Sequence, residues 1–132
     1  MSTIQTIGVI GAGQMGAGIA HVAAMSGFNV ILTDISEEAL SNGLSGIEAN
    51  MRRGIKRLGR KLDKGAITQA EHDVQVANLS IQIDMALSNI QTSTDLAAHA
   101  SAQLVVEAAT ENVDLKNRIF QELSEKTPES TI

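Results

Sequence analysis

The sequence contains no cysteine, tryptophan or tyrosine, and its only aromatic residues are Phe28 and Phe120. Without thiols it has no disulfide framework, thiolate zinc site or cysteine nucleophile, which fits a reducing compartment without requiring one. The scarcity of aromatics leaves little to stack on bases. The 10 Lys+Arg against 15 Asp+Glu, a net charge of −5, provide no general cationic surface, so no nucleic acid partner is expected. Residues 1–33 lack Asp, Glu, Lys and Arg altogether, yet Gln5, Gln14, His21, Asn29 and six glycines interrupt them. Those interruptions argue against a spanning helix, and no basic stretch precedes an apolar one as in a secretory signal, so the expectation is a cytoplasmic protein with no membrane partner. A chain of 132 residues buries roughly two thirds of its unfolded surface, enough for one domain without metal or disulfide staples.

Apolar residues alternate between strand-like and helix-like spacing. Ile4, Ile7, Val9 and Ile10 form a short run that stops at glycines, the mark of a strand covered on both faces. Met15, Ile19, Val22, Ala23 and Met25 give helical spacing over residues 14–26, with Gly27 at the stop, and a second strand follows over 28–33. Ser36, followed by Glu37 and Glu38, starts a long amphipathic helix whose apolar face runs from Leu40 to Leu62. Gly43, Gly46, Gly54 and Gly59 each weaken it by up to about 1 kcal/mol, so packing must hold it. Lys64-Gly65 ends it, and Thr68 with Glu71 forms a capping box for a second helix over 68–87. Together these two predict a helical hairpin over about 36–87.

Beyond the hairpin the sequence predicts a short strand at 90–92, a polar turn at Thr94-Asp95, a helix through His99, a strand over 103–108 and a helix over 114–126. Ser130-Thr131-Ile132 suits the start of another strand. This alternation implies an α/β fold, a Rossmann-type doubly wound parallel sheet with a helical-hairpin insertion after strand two. Four strands and the beginning of a fifth fall short of six. The expectation is therefore one domain over 1–132, truncated at its carboxyl end.

The segment Gly11-Ala12-Gly13-Gln14-Met15-Gly16 lies between the first strand and the first helix. There Gly11 permits a tight turn, Gly13 lets the backbone approach a pyrophosphate, and Gly16 lets the helix lie close to the strand. The phosphates would rest on unpaired N–H groups at the helix start. Asp34 stands 18 residues beyond Gly16, at the end of the second strand, where a carboxylate can accept from ribose hydroxyls. A strand-end Asp capping the next turn is its bland alternative. A carboxylate would repel a 2′-phosphate, and Ile35, Ser36 and Glu37 supply no cation, so NAD is favoured over NADP. FAD remains compatible with the motif alone.

Three blocks resemble the L-3-hydroxyacyl-CoA dehydrogenases: IGVIGAGQMGAGIAHVAAMSGFNVILTDIS, STDL at 93–96, and VVEAATENVDLKNRIF at 105–120. The last is the most particular, a Glu-Ala-x-x-Glu stretch with Lys five residues on. The resemblance implies an NAD-dependent oxidoreductase of fatty-acid or related acyl-CoA metabolism that oxidises an L-3-hydroxyacyl-CoA to the 3-oxoacyl-CoA. It implies that Ala108 and Ala109 pass beneath the cofactor and that Glu111 and Lys116 lie near its nicotinamide-side ribose; an exposed loop and helix face is their alternative. Glu107 reads as structural.

Seven of the ten basic residues lie between Arg52 and Lys64, in two rows spaced by four: Arg52, Lys56, Arg60, Lys64 and Arg53, Arg57, Lys61. Such a cationic face suits a polyanion, and coenzyme A carries a diphosphate and a 3′-phosphate. By resemblance this hairpin contributes to an acyl-CoA cleft, with Asn50 and Arg57 best matching its contacting positions, and the cationic face adds Arg53 and Lys56 as candidate contacts; a solvated helix face is the alternative. The family's reaction also needs a His general base oriented by a Glu. Neither is identifiable among His21, His72 and His99, which read as structural or solvated, so no catalytic residue is assigned. The resemblance places that pair downstream, ahead of a helical substrate and dimer domain absent from this chain. The parent enzyme is then expected to be a homodimer, and these residues alone inactive. Two rival readings are a dehydrogenase of another small hydroxy acid and a non-catalytic dinucleotide-binding module.

Overall fold

Four short apolar segments each recruit the next through an intervening helical crossover, and the result is an all-parallel sheet. The computed structural model describes residues 3–108 and 113–132. Strand β1 (Thr6–Ile10) leads into helix α1 (Gln14–Met25), which returns to β2 (Asn29–Thr33). The hairpin of α2 (Glu37–Asp63) and α3 (Gln69–Ser88) precedes β3 (Ile90–Ser93). A 3₁₀ turn (Leu96–Ser101) leads to β4 (Leu104–Glu107), and α4 (Val113–Lys126) follows. The strand order is β3-β2-β1-β4, with Val9 opposite both Leu32 and Val106. β1 therefore sits at the centre, and the direction of winding reverses between it and β4, the kind of switch point where doubly wound sheets open a crevice.

Strand alternation sorts the core into two layers. Val9, Val30 and Leu32 are fully buried against Ala20 and Ala24 of α1, Ile47 and Met51 of α2, and Ile83 of α3. Gly8 and Thr33 face the other way, toward the 3₁₀ turn, which packs against α4. The expected caps are in place. Ser36 Oγ accepts from the Ala39 N–H at 3.2 Å, and Thr68 and Glu71 exchange two bonds of 3.1 Å. Gly27 and Gly65 take positive φ where α1 and α2 end.

Three elements differ from expectation. β2 begins at Asn29 rather than 28, with Phe28 packed half-buried at the edge of the core. The segment through His99 is a 3₁₀ turn, not an α-helix. Asp95 Oδ1 accepts from the Ala97 N–H at 2.9 Å, and three-residue bonds, Ala98 N–H to Asp95 O and Ala102 N–H to His99 O, fill the whole span before β4 begins. At the other end, the Ile132 N–H donates to Gln103 O at 2.8 Å and the Val105 N–H donates to Ile132 O at 2.7 Å. That is a single parallel ladder step beside β4 at Ile132 alone; Glu129 and Ser130 lie in a turn, so no strand over 130–132 is formed. Among the described residues no helix is long and apolar enough to cross a membrane.

Candidate functional site

The carboxyl ends of the two interior strands, β1 and β2, meet the start of α1. Gly11 has φ of 102°, a conformation that disfavours any residue with a Cβ, and its N–H donates to Thr33 O at 2.7 Å. At Gly16 a Cβ would run into the Gly11 carbonyl, so this glycine is what lets α1 cross so near the turn. Gly13 is the N-cap of α1 and is exposed; the space where its Cβ would stand is open. The helix start has neither a side-chain cap nor a carboxylate in its first turn. Its first N–H groups are therefore available to an anion, at the positive end of the helix dipole. Gln14 and Met15 flank this point, both exposed, while Ala12 is buried.

Asp34 stands beside the loop. Its Oδ2 accepts from the Ala12 N–H at 2.9 Å and its Oδ1 from the Ser36 N–H at 3.3 Å. Each oxygen keeps a lone pair for a ribose hydroxyl, so the turn-capping role and the ligand role coexist in one carboxylate. A crevice of about 590 Å³ opens here, with Asp34 and Ile35 on one side and Leu96, Arg118 and Ile119 on the other. Ile35 is 97% exposed, an apolar side chain left in solvent at the mouth. An aromatic ring system laid there would cover it. The loop, the carboxylate and the crevice together fit a dinucleotide. Leu96, Arg118 and Ile119 were not foreseen, because they reach the site only through the packing of the 3₁₀ turn and α4 over the sheet.

The remaining candidates divide. Ala108 closes β4, its N–H donating to Ile10 O at 2.8 Å, beside the glycine turn. Ala109 and Glu111 lie outside the described residues. Lys116 Nζ is 3.4 Å from Glu107 Oε2, whose side chain is almost wholly buried, in keeping with the structural reading of Glu107. Asn50, Arg53, Lys56 and Arg57 are all exposed on α2. At 1.5 Å per residue they begin about 20 Å along the helix from Glu37, so they do not join the crevice. Arg52 is engaged by Glu48 at 3.0 Å and Asp84 at 3.7 Å. Among the described residues no other cation of the two basic rows forms an ion pair.

No histidine lines the crevice. His21 is half-buried in α1, and His72 lies on α3 with its Nδ1 3.4 Å from Asp73 Oδ1. His99 is fully buried with Nε2 2.8 Å from Thr33 Oγ1, and burial pushes its pKa down to about 4. Among the described residues no cluster of acidic groups and histidines could hold a metal ion.

Residues 6–132 match the family model described as the 3-hydroxyacyl-CoA dehydrogenase NAD binding domain. The chain is 38% identical over its whole length to the 3-hydroxyadipyl-CoA dehydrogenase of Escherichia coli (strain K12), covering 24% of that protein. It is 39% identical over 98% of its length to the mitochondrial hydroxyacyl-coenzyme A dehydrogenase of Rattus norvegicus, covering 37% of it. The fold superposes with a TM-score of 0.73 on the (S)-3-hydroxybutyryl-CoA dehydrogenase of Ralstonia eutropha, at 33% identity, over 98% of this chain and 40% of that one. The chain thus spans between 24% and 40% of the length of these relatives. Over residues 6–132, from its first strand through α4 to its last residue, the chain belongs to the 3-hydroxyacyl-CoA dehydrogenase family and carries that family's NAD-binding domain.

Proposed function

We propose that this chain is the dinucleotide-holding part of an enzyme that oxidises an L-3-hydroxyacyl-CoA to the 3-oxoacyl-CoA. In this reading Gly11, Ala12, Gly13, Gln14, Met15 and Gly16 cradle the pyrophosphate, and Asp34 with Ile35 holds the adenosine. Ala108, Ala109, Glu111 and Lys116 line the nicotinamide side. Bound NAD supplies the hydride acceptor. The chain's own residues bind and orient it, and Asn50, Arg53, Lys56 and Arg57 offer cations and an amide to the coenzyme A phosphates. None of the three histidines lines the crevice, and His99 reaches it only through Thr33, so the proton-accepting base is assigned to none of them. A place in fatty-acid or related acyl-CoA metabolism, a cytoplasmic location and a homodimeric form of the whole protein complete the reading.

The observation that carries it is the pairing of Asp34 with the Ala12 amide at 2.9 Å, beside an uncapped helix start. Calorimetric titration tests it. NAD should bind at least tenfold more tightly than NADP, and Asp34→Arg should weaken NAD by roughly tenfold to a hundredfold, the loss of charge-assisted hydrogen bonds, while narrowing or reversing the preference. Unchanged NAD affinity in that variant would remove Asp34 from the site.

A further inference from the structure

We propose that His99 is a positioning residue for the dinucleotide loop, acting through Thr33; this rests on the NAD-binding reading above. His99 is fully buried, yet its Nδ1 has no hydrogen-bond partner. An apolar side chain of similar size would fill the same space without an unsatisfied nitrogen, so packing alone does not account for an imidazole here. The ring also constrains its surroundings: a Cβ at position 8 would collide with Nδ1, and β1 carries glycine there. What the imidazole gains is the contact of Nε2 with Thr33 Oγ1 at 2.8 Å. A buried acceptor without a partner is tolerated better than a buried N–H without one. In the tautomer protonated on Nε2 the ring's only N–H is paired, donating to the threonine hydroxyl, and Nδ1 keeps just a bare lone pair.

Thr33 is where that contact matters. Its carbonyl accepts from the Gly11 N–H at 2.7 Å, and the next residue, Asp34, accepts from the Ala12 N–H at 2.9 Å. Both halves of the site thus hang from one residue at the end of β2. On the β1 side that end is held closely, whereas on the β3 side the Asp34 N–H reaches Ser93 O only at 3.4 Å. For its part, the 3₁₀ turn that carries His99 is fastened by Asp95 to the Ala97 N–H and by Lys126 Nζ to Asp95 at 3.3 Å. The imidazole transmits this anchorage to Thr33 and fixes the spacing between the glycine turn and the carboxylate, a distance on which a two-point ligand depends.

The test measures NAD affinity by calorimetry at a temperature where circular dichroism shows each variant fully folded, together with amide NMR shifts of Gly11 and Ala12 without ligand. Thr33→Val, which keeps the shape and removes the hydroxyl, and His99→Leu should each weaken NAD by about three- to tenfold and move both amide shifts. Thr33→Ser should restore the affinity. Ile83→Ala, in the core on the opposite face of the sheet, should lower the melting temperature and leave the affinity and both shifts in place. NAD affinity and amide shifts unchanged in folded Thr33→Val would overturn the proposal, as would equal weakening by Ile83→Ala. Should His99→Leu fail to fold, the Thr33 pair of variants decides alone. A folded parent chain that binds no NAD would instead overturn the NAD reading and this proposal with it.

Discussion

At His99 the fold favours the neutral imidazole, and stability must then depend on pH. Burial lowers its pKa from 6.5 to about 4, so on acidification the unfolded chain takes up the proton before the folded one. The contribution is fully present above about pH 6.5 and is lost as pH falls toward 4, amounting to on the order of 3 kcal/mol. Urea unfolding followed between pH 7.5 and 5 should show this contribution level down to about pH 6.5 and declining below it, and His99→Leu should flatten the decline. Equal slopes in the two proteins would show that the imidazole is not kept neutral. Asp34 was legible from sequence because spacing after a glycine motif fixes it. The partner of His99 was not, because Thr33 lies 66 residues away and only the crossover brings the two together.

The long helix of the hairpin shows what an element's sequence does and does not disclose. Its start at Ser36, its stop at Gly65 and its amphipathic face were all readable, since caps and periodicity are local. The reason for its glycines was not. Gly43 faces Ala12 O at 2.6 Å from where a Cβ would stand, and Gly54 faces a Leu79 methyl at 3.0 Å, whereas the positions at Gly46 and Gly59 are open. Gly46→Ala and Gly59→Ala should therefore stabilise the protein by roughly 0.5–1 kcal/mol each in denaturant melts, through helix propensity and a less flexible unfolded chain. Gly43→Ala should destabilise, because it presses on the backbone of the dinucleotide loop. The same helix carries the exposed cations Arg53, Lys56 and Arg57. If they meet coenzyme A, reversing all three charges to Glu should weaken its binding by tenfold or more. The parent's affinity should also fall steeply between low and moderate salt, while NAD affinity holds in both proteins. A coenzyme A titration that ignores both the reversal and the salt would return these residues to solvated surface.

For the whole molecule, strand sequence, parallel pairing and the hairpin insertion followed from alternation of short apolar runs with helical periods. The crevice's far wall did not follow, because Leu96, Arg118 and Ile119 are neighbours of Asp34 only after the 3₁₀ turn and α4 have folded over the sheet. That wall has a thermodynamic consequence. A dinucleotide seated there would meet the ends of β1 and β2 together with the 3₁₀ turn and α4, and its binding energy would be spread over elements that unfold together. NAD at a hundred times its dissociation constant should then stabilise the fold by about 2.7 kcal/mol, which in a chain of this size raises the melting temperature by roughly 10 °C. The absence of Trp and Tyr rules out the usual fluorescence melt, so calorimetry or far-ultraviolet circular dichroism is the measurement. NADP at the same concentration should give a much smaller rise, and Asp34→Arg should lose most of the NAD effect. A broad melt in which NAD protects only an early, minor step would mean that the glycine loop opens independently of the sheet, and that the two faces of the crevice do not act as one unit.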